Sequence, residues 1–369
     1  MNKMIILYIL TIFVISCAGS NATTMEYRSA TTAVRSERDL DKGERYALKA
    51  LDMVEHANDA RVAYFLAIEI YKPRKNWVEM NRMLDIAIAR NPEQTLDRPF
   101  RLDDGTVVKT ISESVPIYKE QIWMNIFNQT VDLVDAGKNE EALEKINFAK
   151  TVLEKVDNFI TASLLYIQMD DIEKAKDDLN NVLKMDPNNV RALQIFGDLE
   201  FQNSNLTGAM TYYKKALKNT KDQDTLNDLN KSLIFIYVEL ENYDQAITLS
   251  ENLLSNNLDD PDIFFNVGVI YQRLASKYYD KGFEDYNAIN ASENIDTSAV
   301  KSAYKNFKNA YEMTQQALNY FMDSSMVEEN ENNSTDIAIK EMRRLRKNLK
   351  EIYIPSMEKI STDNNIELN

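Results

Sequence analysis

The sequence predicts an all-α solenoid, a row of about seven two-helix hairpins stacked along the chain. Three observations predict it. Of 369 residues only 8 are Gly and 7 are Pro, against roughly 7% and 5% in ordinary globular chains, too few turn-formers for a many-stranded sandwich or barrel. Small residues recur at Ala142, Ala175, Ala209 and Ala246, spaced by 33, 34 and 37 residues, and a period of this length marks a repeat array. After each of them side chains of matching class return at i+4 and i+7, which is one face of a helix. With 44% hydrophobic residues, including 19 Tyr, 14 Phe and 2 Trp, the chain has the apolar mass for a packed core.

The first element is an address. Lys3 precedes a run from Met4 to Ile15 that is apolar but for Thr11. That is short for a membrane span of about 20 residues and suits the apolar core of a secretory signal. The run ends Val14-Ile15-Ser16-Cys17, and Cys17 is the only cysteine. This resembles the lipobox of bacterial lipoproteins, although Ile15 is bulkier than the commonest residue at its place. The resemblance implies a signal peptide over residues 1–16 and cleavage before Cys17. It also implies a diacylglycerol thioether on that sulfur, usually joined by an N-acyl chain. A thiol is required because sulfur is the nucleophile toward the lipid donor, and several acyl chains together give stable anchoring. This covalent lipid is the only cofactor expected. Ala18 stands where an Asp would favour inner-membrane retention, so the resemblance implies the outer membrane; a periplasm-facing body is the expectation, although nothing in the sequence encodes the face. An ordinary signal peptide with an incidental cysteine is the plainer alternative. Residues 17–27 are small and polar and read as a flexible tether.

Residues 28–94 read as two hairpins. The first carries Ala47, Leu51 and Val54; the second carries Tyr64, Ala67-Ile68 and Tyr71, then Met80, Leu84 and Ala87. Met80 occupies the place that the later repeats give to a small residue. His56, the only histidine, falls near a helix end and is expected at the surface. Residues 95–121 interrupt the array with Pro99, Pro116 and the turn signal Asp103-Asp104-Gly105. The flanking Arg101-Leu102 and Thr106-Val107-Val108 allow a small β-hairpin; a surface loop is the bland alternative.

Residues 122–322 hold the main array. After the four alanines, position i+4 is Ile146, Leu179, Tyr213 or Ser250, and position i+7 is Ala149, Val182, Ala216 or Leu253. Nine residues before them stand Leu133, Tyr166, Glu200 and Tyr237, with Glu200 the departure. Gly197 and Gly268 sit within the apolar stripes of two preceding helices. This period and pattern resemble the tetratricopeptide repeat. The resemblance implies a right-handed superhelix whose helices interlock through the small residues. It also implies a concave groove lined by the first helix of each hairpin. Carried onto this chain, the groove positions are Met124, Phe127, Val131 and Val134; Ile160, Leu164 and Ile167; Arg191, Gln194, Asp198 and Phe201; Phe235 and Val238; and Phe265 and Val269. Most are apolar. The groove either takes a segment of a partner protein or is filled by the chain's own insertion or final helix.

The seventh hairpin opens at 261 with Phe264, Val267-Gly268 and Tyr271. Its second helix is expected late, at about 300–322, after a Tyr-rich insertion near 275–300 that either interrupts the hairpin or extends the neighbouring helices. Residues 323–336 read as an acidic linker. Residues 337–355 read as a helix with Ile339, Met342, Leu345, Leu349 and Ile352 on one side, and Lys340, Arg343, Arg344, Arg346, Lys347 and Lys350 on the other. It is read as a cap for the last hairpin, since terminal repeats need one. Contact of its basic side with anionic headgroups or an acidic partner is the functional alternative.

Composition excludes much chemistry. One His and one Cys leave no intrachain disulfide and no His/Cys zinc site. The acid pairs lack a Ca²⁺-loop pattern, no phosphate loop or HExxH is present, and no catalytic set stands out. A formal charge of −15 opposes nucleic acid. The expectation is a non-enzymatic, lipid-anchored scaffold that binds protein at a bacterial envelope. The alternative is an outer-membrane lipoprotein that captures glycan or peptide ligands for import, to which only the Tyr-rich segment points.

Overall fold

A computed structural model describes residues 23–256, 260–292, 294–327 and 333–368. The signal peptide and Cys17 lie outside the described residues. The chain divides into two compact units, one ending at Val182 and one beginning at Leu183.

In the first unit, α1 (Met25–Thr32) continues through a π turn over Ala33–Glu37, and α2 (Leu40–Leu51) completes a hairpin. Thr24 caps α1 and Asp39 caps α2, each side chain accepting from the backbone three residues on, which satisfies donors a helix start leaves free. The expected tether therefore ends sooner than residue 27: Tyr27 is buried in the core. Val54 is also corrected. The helix stops at Leu51, so the apolar stripe does not reach Val54, which is 83% exposed beside a 3₁₀ turn. The second hairpin is α3 (Arg61–Phe65), extended by a π turn over Leu66–Tyr71, and α4 (Trp77–Arg90).

The insertion forms the small hairpin. β1 (Thr95–Arg101) pairs antiparallel with β2 (Val107–Thr110), Phe100 opposite Val108 and Arg101 opposite Val107. Gly105, at φ +89, takes the left-handed turn position that a side chain would strain. The insertion is shorter than 95–121, because Thr110 and Glu113 make a reciprocal capping box that starts α5 (Ile111–Asp135). Then come α6 (Asn139–Val152), α7 (Val156–Gln168) and α8 (Ile172–Met185), within which the unit boundary falls.

The second unit holds α9 (Val190–Gln202) with α10 (Leu206–Leu217), then α11 (Gln223–Glu239) with α12 (Tyr243–Asn256). The seventh hairpin joins two helices of 31 residues each, α13 (Pro261–Ala291) and α14 (Thr297–Val327). The segment 275–300 extends the neighbouring helices, as its sequence allows: it is mostly the far half of α13, with the start of α14. Part of the expected acidic linker is helical: Ser324 is buried in α14 and donates to the Pro261 carbonyl at 3.0 Å. The last helix also starts earlier and ends later than 337–355. It runs as α15 (Asn333–Asn348), a π turn over Leu349–Tyr353, and α16 (Ile354–Asp363).

The recurrent small residues lie where helices approach. Ala142, Ala149, Ala175, Val182, Ala209, Ala216 and Ala246 have no exposed surface, and Leu253 is buried. Gly197 faces the ring of Tyr213 and Gly268 the ring of Phe321. The departure at Glu200 has a local reason: its carboxylate accepts from Asn205 at 2.5 Å across the turn between α9 and α10.

Candidate functional site

In the first unit the first helices of two hairpins, α5 and α7, are tied together. Trp123 of α5 donates its indole N–H to Asn158 of α7 at 2.8 Å, and Lys155 sits 3.6 Å over the same ring while pairing with Glu120 at 2.5 Å. Phe127 stacks on Trp123 with ring centroids 5.1 Å apart and is half-buried. Beyond it Met124 and Val131 stand in solvent, 51% and 42% exposed. Ile160 and Leu164 of α7 are half-buried. The structure thus leaves a face of large apolar side chains on these helices open.

In the second unit Phe235 of α11 is 52% exposed. Arg191 of α9 is exposed and Gln194 half-buried, with 3.4 Å between the guanidinium and the amide oxygen. Phe265 departs from expectation. Its ring lies 5.4 Å from that of Phe321, and the two pack with Ala338, Ile339 and Met342 of α15. The final helix therefore packs on the groove side of the last hairpin, and Phe265 is half-buried against it. The aromatic side chains of the Tyr-rich segment are half-buried against the final segment. Tyr279, Phe283 and Tyr286 gather around Phe307 and Tyr353 with centroids 5.0–6.3 Å apart, and the Tyr279 hydroxyl donates to that of Tyr353 at 3.0 Å.

Two features were not read from the sequence. The first is a cavity of about 280 Å³ beside the β-hairpin, walled by Tyr27, Tyr64, Phe65, Phe100 and Tyr118 and rimmed by Arg35, Glu69, Asp97 and Arg98. Arg35 forks onto Glu69 with contacts of 2.6–3.3 Å. Its walls come from segments far apart in the chain; the only sequence signal was Arg98 and Phe100 within the insertion.

The second is His56, which is wholly buried rather than at the surface. One ring nitrogen lies 2.9 Å from the Asp59 carboxylate and the other 2.9 Å from the Thr24 hydroxyl, so a polar side chain at a helix end is satisfied inside. Burial opposes ionisation of Asp59, but hydrogen bonds from the side chain and backbone of Arg61, then from His56 and Gln94, outweigh it and hold the carboxyl well below the usual range. Among the described residues no group of three or more His, Cys, Asp or Glu side chains is placed to hold a metal.

The tetratricopeptide-repeat family model matches residues 160–224. No curated protein matches the chain. Among solved structures, a tetratricopeptide-repeat protein from Parabacteroides merdae is 16% identical, with 76% of this chain and 99% of that one covered at a TM-score of 0.37. PilF of Pseudomonas aeruginosa is 14% identical over 61% of this chain and 98% of its own, also at 0.37. YrrB, described as having an unusual peptide-binding site, is 16% identical over 55% and 88%, again at 0.37. Residues 160–224 thus match the tetratricopeptide repeat, and the recurrent small residues and successive αα-hairpins on either side of them belong to the same all-α, solenoid-type architecture.

Proposed function

We propose that this protein is a lipid-anchored scaffold of a bacterial outer membrane, facing the periplasm, that holds a partner protein through the first helices of its repeats. Tetratricopeptide repeats are protein-binding modules. The observation that carries the reading is the open apolar face on α5 and α7, where Met124 and Val131 are left in solvent beside the Trp123–Phe127 stack. Large side chains of this kind, clustered rather than scattered, are the usual ground of a contact site. An extended or amphipathic segment laid along them would bury those side chains between its own. The anchor on Cys17 would raise the local concentration of the scaffold at the membrane. Nothing in the mechanism requires catalysis or nucleic acid.

One experiment separates anchor from groove. Cys17→Ala is expected to release the chain from the membrane fraction. Met124→Asp with Val131→Asp is expected to leave it there, folded, but without its co-purifying partner. A double variant that retains the partner would refute the groove, and a membrane-bound Cys17→Ala chain carrying no acyl group would refute the anchor.

A second reading, capture of a glycan or peptide ligand for import, now draws on the cavity beside β1 rather than on the Tyr-rich segment. Its aromatic walls suit the apolar face of a sugar, and its Arg35, Glu69 and Arg98 rim suits hydroxyls. Tyrosine-fluorescence titration with oligosaccharides tests it, and an unchanged signal would count against it.

A further inference from the structure

The final helix has two sides with different work. Ala338, Ile339, Met342 and Leu345 face the core around α14, and Leu349 and Met357 continue that contact. The opposite side carries Lys340, Arg343, Arg344, Lys347 and Lys350, all exposed. The spacing 337, 340, 344 and 347 places Ile337, Lys340, Arg344 and Lys347 on one outward stripe of α15, flanked by Arg343.

Among the described residues most of this charge has no ion-pair partner. Lys347 comes within 3.9 Å of Glu351, and Arg346 turns aside to donate to Gln315 at 2.9 Å. Lys340, Arg343, Arg344 and Lys350 form no ion pair among the described residues. The same helical run also holds Asp336, Glu341 and Glu351, all exposed, yet its basic side chains outnumber them. On a chain of formal charge −15 such a stripe runs against the general surface. Its ends carry two half-exposed isoleucines, Ile337 at 49% and Ile352 at 51%.

We propose that this stripe docks the second unit on an anionic lipid surface. Charge complementarity gives the attraction: a cluster of lysines and arginines on an amphipathic helix fits acidic headgroups, each residue adding a similar increment. Protein interfaces deplete lysine and are built around aromatic or arginine anchors in pockets, whereas this face offers flexible cationic ends and two aliphatic chains able to reach the headgroup layer. Because the apolar side of α15 is already used inside the protein, the attachment is electrostatic and reversible rather than insertion. It does not depend on the lipid proposed for Cys17.

The test uses the full chain with vesicles of phosphatidylcholine alone and of phosphatidylcholine mixed with phosphatidylglycerol, read by co-sedimentation. Binding to neutral vesicles reads the leader or anchor, and the increment with phosphatidylglycerol reads the stripe, so either can fail alone. Lys340→Glu, Arg344→Glu and Lys347→Glu together are expected to lower the increment by at least about 100-fold, and added salt to weaken it in the wild type. These side chains are exposed, so circular dichroism should show an unchanged fold. Reversing Lys215, Lys218 and Lys221, exposed lysines elsewhere in the second unit, is expected to change it little. An increment unaffected by the stripe variant, an equal loss in the control variant, or stronger binding to soluble polyglutamate than to anionic vesicles would overturn the proposal, the last in favour of an acidic protein partner.

Discussion

Gly268→Ala tests the close approach of α13 and α14. A methyl added at Gly268 would lie 2.6 Å from two ring carbons of Phe321 and 3.0 Å from a third. Carbon atoms settle at roughly 3.5–4.0 Å, so ring or helix must move by about 1 Å. Phe321 is completely buried, between Phe265 and the Ala338–Met342 stretch of α15, and has no free space to move into. Overpacking of this kind costs about 1–3 kcal/mol. Against it stands the helix propensity of Ala over Gly, about 1 kcal/mol. The expected balance is a loss of up to about 2 kcal/mol, read by urea denaturation. A double-mutant cycle with Phe321→Leu isolates the contact: the smaller side chain makes room, and a favourable coupling of about 1 kcal/mol or more is expected. Gly268→Ala stabilising the protein by its propensity gain, with no coupling to Phe321, would refute close interlocking at this position.

Two further outcomes follow from the buried network and the cap. Ionised Asp59 contributes stability that is complete above the unfolded carboxyl's pKa of about 3.9 and is lost as pH falls toward its depressed folded value. Asp59→Asn is therefore expected to cost about 3 kcal/mol at neutral pH by leaving Arg61 unpaired. Denaturation midpoints against pH should show the gap to wild type closing below about pH 4, and a constant gap down to about pH 2 would contradict the pairing. Deleting residues 335–369 uncovers Phe265, Leu318 and Phe321, so binding of an apolar dye should rise while helical circular dichroism persists apart from the deleted helix. Unchanged dye binding would refute the helix as a cover.

The repeat register was legible because one physical demand recurs. Where two helix backbones approach, only a small side chain fits, and Ala142, Ala175, Ala209 and Ala246 answer that demand at nearly constant intervals. Turn chemistry at Asp103-Asp104-Gly105 was equally local and announced the β-hairpin. What escaped was set by contacts distant in sequence. His56 reads as a surface residue from its neighbours, yet Thr24 and Asp59 reach it from two sides and satisfy it inside. The tyrosines of 275–290 read as part of an insertion that pointed to glycan capture, but Tyr279 and Tyr286 pack edge-on against Tyr353 of the final segment. Phe265 has the groove spacing of Phe235, and only the course of α15 distinguishes a covered ring from an open one. The cavity beside β1 was hidden for the same reason, since no single segment holds enough of its wall.

The account rests most heavily on the first helices of the repeats being the surface on which a partner lies. Site-specific photo-crosslinking in cells from Met124 and Val131, compared with the exposed second-helix positions Glu144 and Glu173, tests this directly. The account predicts a discrete protein adduct, mappable to one segment of that protein, from the first pair and none from the second. Adducts of equal yield from both pairs, or lipid and sugar adducts without protein, would contradict it.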